Sequence, residues 1–258
     1  MKKIRSTFYS ISIMVLLYPY AACKKESNSP SGSSSTGSAT VPAIYQKIYG
    51  ASSITSDGTY ITIKTTGVPD HKSVYWATSN SLYQAFSGTT FGGYTFQQNP
   101  NSIVSQTLTF KIPINPDEAS SHSATPMGAI GVALNGVPFF NQYAAGGSSL
   151  SGAEIPSFDQ YWGHPQMQGM YHYHVEPIYL TQTKFTESSL VGFLLDGFPV
   201  YGPEENGKIL TSSDLDSYHG HFGPTADYPN GIYHYHFTQD APYLNGSGFY
   251  GIEGSVSQ

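Results

Sequence analysis

Two copies of one alternating tetrapeptide, Tyr171-His172-Tyr173-His174 and Tyr233-His234-Tyr235-His236, constrain this chain more than any other feature. They hold four of its nine histidines. In an extended strand successive side chains point to opposite faces. Each copy therefore places two imidazoles on one face and two phenol rings on the other. The copies also belong to a longer repeat. Gly131–Phe140 aligns with Gly192–Tyr201 at an offset of 61, Asp159–His164 (DQYWGH) with Asp216–His221 (DSYHGH) at 57, and the tetrapeptides align at 62.

Strand signals surround the repeat, and helical periodicity is scarce. "SDGTYITIKTTG" and "SIVSQTLTFKIPI" alternate apolar and polar residues as half-buried strands do. Asn135-Gly136 and Asp196-Gly197 each separate two apolar runs, which predicts type I′ hairpins with positive φ at both central residues. Short helical turns are expected near Ser157–Tyr161 and Ser213–Tyr218, where Ser or Asp can cap them. Few charged residues (11%) and many Gly and Tyr suit a turn-rich, all-β extracellular domain. The expected architecture is an all-β, sandwich-like single domain over 43–258. Residues 43–115 supply N-terminal strands, and 124–177 and 186–243 form two related halves.

The N-terminus reads as an export signal. Lys2, Lys3 and Arg5 precede a short apolar run, Ile11–Leu17, and Tyr20-Ala21-Ala22-Cys23 resembles a lipobox. Residues 1–22 are the expected signal peptide, Cys23 the lipidation site, and 23–42 a flexible Ser/Gly-rich tether. Cys23 is the sole cysteine, so no intrachain disulfide is available. The expected location is the bacterial cell envelope, in the outer membrane or periplasm, with the membrane met only through the lipid anchor. Loss of residues 1–22 moves the formal charge from −6 to −9. That balance argues against nucleic acid as a partner.

Seven histidines lie at related positions in the repeat: His164, His172 and His174 in the first half, and His219, His221, His234 and His236 in the second. Rings two residues apart on a strand can lean toward one ion, and an imidazole-rich set suits zinc or copper. The expectation is a metal held between the halves by the four tetrapeptide rings, with His164 and His221 next and His219 further out, as one closed site or two equivalent ones. Asp159, Asp216, Glu176 and Asp240 are candidates for orienting ring nitrogens. The competing reading of the same residues is a metal-free hydrogen-bond network. His71 and His122 read as loop residues, and Asp196, like Asn135, as a turn residue.

These motifs, with "VGFLLDGFPVYGP", "IGVALNGVPFF" and "GVPDH", resemble the YHYH-domain proteins, a family of largely exported bacterial proteins. The resemblance spans about residues 67–243 and implies no settled activity. Members often carry a cysteine before each Gly-His, where this chain has Tyr161/Trp162 and Tyr218/His219. Three functions stay open: a transition-metal-binding lipoprotein, a metal-dependent hydrolase or copper oxidase using the same histidines, and a surface glycan-binding module. No G-x-S-x-G, H-E-x-x-H or phosphate loop narrows the choice.

Overall fold

A computed structural model describes residues 39–258 apart from 151, 153 and 247. The expected signal peptide, Cys23 and most of the tether lie outside the described residues. Among those described, no helix is long and apolar enough to cross a membrane.

The fold is all-β and sandwich-like, with two main sheets sharing one hydrophobic core. The smaller sheet is antiparallel, in the order β1 (Ala51–Ser56), β2 (Tyr60–Thr65), β3 (Leu108–Pro113), β14 (Ser255–Ser257). Ile61 and Ile63 of β2 and Phe110 and Ile112 of β3 are fully buried, as the alternating pattern requires.

The larger sheet has eight strands and is built from the repeat. β4 (Ala129–Ala133) and β8 (Leu190–Leu194) pair antiparallel at its centre. All ten of their residues are buried, which explains their unbroken apolar composition. Outward from β4 come β5 (Pro138–Phe140), β7 (Tyr171–Tyr173) and β6 (Gly163–Pro165). Outward from β8 come β9 (Pro199–Tyr201), β13 (Ile232–His236) and β12 (Gly220–Gly223). Each half uses the same three pairings. An antiparallel hairpin comes first. Its second strand lies parallel to the tetrapeptide strand, and the Gly-His strand lies antiparallel outside that.

The central hairpins differ from the sequence expectation. Gly136 N–H donates to the Ala133 carbonyl at 2.9 Å and Ala133 N–H to the Val137 carbonyl at 2.8 Å, which closes a three-residue loop. Leu194, Gly197 and Phe198 repeat the pattern at 3.0 and 3.1 Å. Only the glycine has positive φ (82° at Gly136, 85° at Gly197), so each is a three-residue loop with glycine in the left-handed position rather than type I′. The type I′ geometry occurs at Asn206-Gly207, with φ of 52° and 77°, in a small hairpin of β10 (Glu204–Glu205) and β11 (Lys208–Ile209).

The helical turns also shift. They cover Ile155–Ser157 and Ser212–Asp214, the latter with a Thr211/Asp214 capping box. The Asp-x-Tyr-x-Gly segments that follow are loops instead. In them Asp159 Oδ1 accepts Tyr161 N–H and Asp216 Oδ1 accepts Tyr218 N–H, both at 2.8 Å. A π-helical turn at Tyr179–Lys184 was not anticipated.

Candidate metal centres

The outer edges of the large sheet carry the histidines. In the first half His164 of β6 lies directly across from His172 of β7, and His174 is two residues further along. In the second half His221 of β12 faces His234 of β13, and His236 follows. A cross-strand pair and its i+2 neighbour share one face, so three rings meet. His164, His172 and His174 form one group able to hold a metal ion; His221, His234 and His236 form another, joined by Glu205.

The arrangement corrects the expectation of an ion between the halves. Because β4 and β8 meet at the centre, the tetrapeptide strands are five strand steps apart, about 24 Å along the sheet. Each half has its own cluster.

Hydrogen-bond partners fix which nitrogen of each ring carries the proton. His172 Nδ1 donates to the Met170 carbonyl at 3.1 Å and His174 Nδ1 to the Asn141 carbonyl at 2.6 Å. The Ser157 hydroxyl donates to the Glu154 carbonyl at 2.8 Å, leaving its oxygen to accept from His164 Nδ1 at 2.7 Å. A carbonyl only accepts, so each Nδ1 must be protonated, and each Nε2 of the neutral ring presents a lone pair. Those Nε2 atoms face one another: His172 Nε2 is 3.0 Å from both His164 Nε2 and His174 Nε2. Three lone pairs at that spacing repel unless a positive charge lies among them.

In the second cluster two of the three rings follow the same rule. His234 Nδ1 donates to the Ile232 carbonyl at 3.0 Å and His236 Nδ1 to the Gly202 carbonyl at 2.8 Å. His221 Nε2 and His234 Nε2 are 3.1 Å apart. His236 Nε2 is buried with no hydrogen-bond partner among the described residues. Glu205 reaches His221 Nε2 and His234 Nε2 at 3.4 Å each.

In the first cluster protons do not supply the missing charge. Burial, reinforced by neighbouring imidazoles, holds His164 and His172 well below the ordinary imidazole value. Burial brings His174 down to about 4 and His236 to about 3, and it also lowers His234. The donor set therefore fits a metal ion. Bonds of roughly 2.0–2.1 Å span roughly 2.9 Å between donors at right angles and 3.4 Å in a tetrahedron, which brackets the 3.0–3.1 Å of the three neighbouring nitrogen pairs.

The remaining candidates have other tasks. His219 turns away from the cluster, with φ of 74°, and its Nε2 bonds Thr238 Oγ1 at 2.9 Å. His71 is buried rather than in a solvated loop, and bonds the Tyr173 hydroxyl at 2.9 Å. His122 packs at a tilt against Tyr218 and bonds the Phe249 carbonyl. Asp159 and Asp216 hold no ring nitrogen. They accept the first tyrosine of each tetrapeptide, Tyr171 and Tyr233, both at 2.9 Å. Asn135 and Asp196 meet the second tyrosine, Tyr173 at 3.1 Å and Tyr235 at 2.6 Å. Glu176 pairs with Thr181 and Gln239, and Asp240 with Ser212. Backbone carbonyls and Ser157, not carboxylates, orient the rings.

Sequence reasoning missed Glu205 and Glu154, whose Oε1 lies 3.5 Å from His164 Nε2. A signal for Glu205 existed. Asn206-Gly207 marks the hairpin that carries Glu205 to the histidines of β12 and β13, whereas the equivalent turn of the first half, at Gly146-Gly147, carries Ala144 there.

The family model described as "YHYH protein" matches residues 109–209 and 203–248. No curated protein and no solved structure matches the chain.

Proposed function

This chain belongs to the YHYH protein family, and on that premise we propose that it is a transition-metal-binding lipoprotein of the bacterial cell envelope with one ion site in each half. The carrying observation is the convergence of ring Nε2 atoms, 3.0 Å apart in the first half and 3.1 Å apart in the second, in two places built the same way. His164, His172 and His174 hold one ion; His221, His234, His236 and Glu205 hold the other. Nitrogen-dominated ligation favours zinc or copper over calcium or magnesium. The basic and apolar features of residues 1–22, with Cys23 after them, support export and lipid anchoring.

The test is metal analysis of protein purified without a nickel column. Two equivalents of zinc or copper per chain are expected, falling to one in the double variant His172→Ala/His174→Ala. Full stoichiometry in that variant contradicts the assignment. Intact mass of the membrane-extracted protein should show a lipidated Cys23 as its first residue.

One observation favours a catalytic use of the second ion. Glu205 lies beside the cluster and against a surface cavity, where it can serve as fourth ligand or as base toward a metal-bound water. A cobalt(II) spectrum showing an exchangeable water supports hydrolysis; a closed four-ligand shell removes the case.

A further inference from the structure

The two clusters share a plan but not an environment. In the first, His164, His172 and His174 are each 2% exposed. Phe140 stacks on His172 with ring centroids 3.9 Å apart, and Phe158 packs against His164 and His174. The N-terminal segment lies over this edge as well. Ser73 bonds Asp159 at 2.5 Å, Tyr75 bonds the Ser157 carbonyl at 2.6 Å, and Asn99 and Asn101 both donate to the Pro165 carbonyl.

The second cluster lacks equivalent cover among the described residues. The His221 side chain is 29% exposed, against 3% for its counterpart His164. Asp216 is exposed where Asp159 is fully buried. Leu215 stands half-buried at the place of Phe158. Glu205 also forms part of the wall of a cavity of about 420 Å³, together with Glu204, Asn206, Ser188, Thr225 and Tyr201. The charged side chains of that wall are both carboxylates, which draw in cations and repel anions. His236 Nε2, 2% exposed as a residue and without a hydrogen-bond partner among the described residues, belongs to the same cluster as Glu205.

We propose that the second cluster is an exchange site, whose ion enters and leaves through the acidic cavity at Glu205, while the first cluster keeps its ion as part of the fold. This rests on the two-site reading above and divides the labour between the sites. The cargo of the open site is a hydrated divalent transition-metal cation. Glu205 meets it first, and the three rings replace its remaining waters. Glu154 reaches one ring of the closed site, His164 Nε2 at 3.5 Å, but release from that site still requires Phe140, Phe158 and the N-terminal segment to move away, an opening of the local structure that sets a slow rate.

The experiment loads the mature full-length chain with zinc, adds isotopically distinct zinc, and follows exchange by mass spectrometry of the bound metal. Two equivalents are expected, one exchanging at least about tenfold faster than the other. Glu205→Gln and His221→Ala should remove or weaken the fast equivalent and leave the slow one unchanged. Glu205 is half-buried and glutamine keeps its shape, so its variant keeps the test independent of folding. Equal exchange rates for both equivalents overturn the proposal, as does loss of the slow equivalent in Glu205→Gln. Absence of both bound zinc and bound copper in the unaltered protein overturns the metal-binding reading itself and is distinguishable from both.

Discussion

At the scale of single residues, the tyrosines of the tetrapeptides matter as much as the histidines. Tyr235 is fully buried, donates to Asp196 Oδ2 at 2.6 Å and accepts Tyr250 N–H at 2.8 Å. Asp196 Oδ2 also accepts Gly251 N–H at 2.9 Å, and burial raises its carboxyl to about 6. Tyr235→Phe leaves a buried acceptor short of a donor and a backbone N–H without its acceptor. The expected loss is about 1–3 kcal/mol of stability, with metal stoichiometry unchanged. Chemical denaturation and metal analysis of the same variant check both halves of that statement. A fall in bound metal at full stability would make the phenol a ligand rather than a support.

At the scale of elements, the Gly-His strands show why glycine precedes each histidine. A Cβ at Gly163 would stand 2.5 Å from the Tyr171 hydroxyl, and one at Gly220 would stand 2.5 Å from the Tyr233 hydroxyl and from the His234 carbonyl. The phenol passes over the bare glycine to reach Asp159 or Asp216. Gly220→Ala therefore forces Tyr233 off Asp216 and pushes β12 from β13, separating His221 from His234. The expectation is a cost of about 1–3 kcal/mol and selective loss of the second site's metal. Retention of both equivalents in a folded Gly220→Ala protein would show that the strand spacing tolerates the methyl group.

At the scale of the whole molecule, the buried rings make stability depend on pH. Unfolded histidines take up protons near 6.5. In the fold His174 and His219 resist until about 4 and His236 until about 3. Between those values the unfolded chain binds more protons, so stability falls as pH falls and rises as pH rises. Each such ring contributes up to about 1.4 kcal/mol per pH unit inside its window. Chelator-treated protein should melt progressively lower from pH 6.5 toward pH 4, and metal-loaded protein should melt higher than chelator-treated protein at neutral pH. A melting temperature flat across that range would show the rings to be solvated.

What the sequence by itself determined is what periodicity and local chemistry determine. Alternation put the four tetrapeptide histidines on shared faces, and the repeat matched His164 to His221. Strand pairing in the structure then brought each of these opposite its tetrapeptide partner. The all-β class was legible on the same grounds, and the family was legible through the resemblance of its motifs. Strand order was not. Whether two tetrapeptides meet or stand apart depends on which strands pair at the centre of the sheet, and β4–β8 pairing is a contact between residues about 60 positions apart. The turn geometry at Asn135 and Asp196 was decided by their burial against Tyr173 and Tyr235, which local propensity does not encode. His219 was lost from the ligand set for a similar reason, since the left-handed backbone its loop requires turns the ring aside. Glu205 joined through a hairpin whose counterpart in the first half, bridged Tyr143 to Ser149, carries Ala144 in its place, and the N-terminal segment closed the first cluster but not the second. Both are long-range placements, fixed by the packing of the whole chain rather than by any short stretch of it.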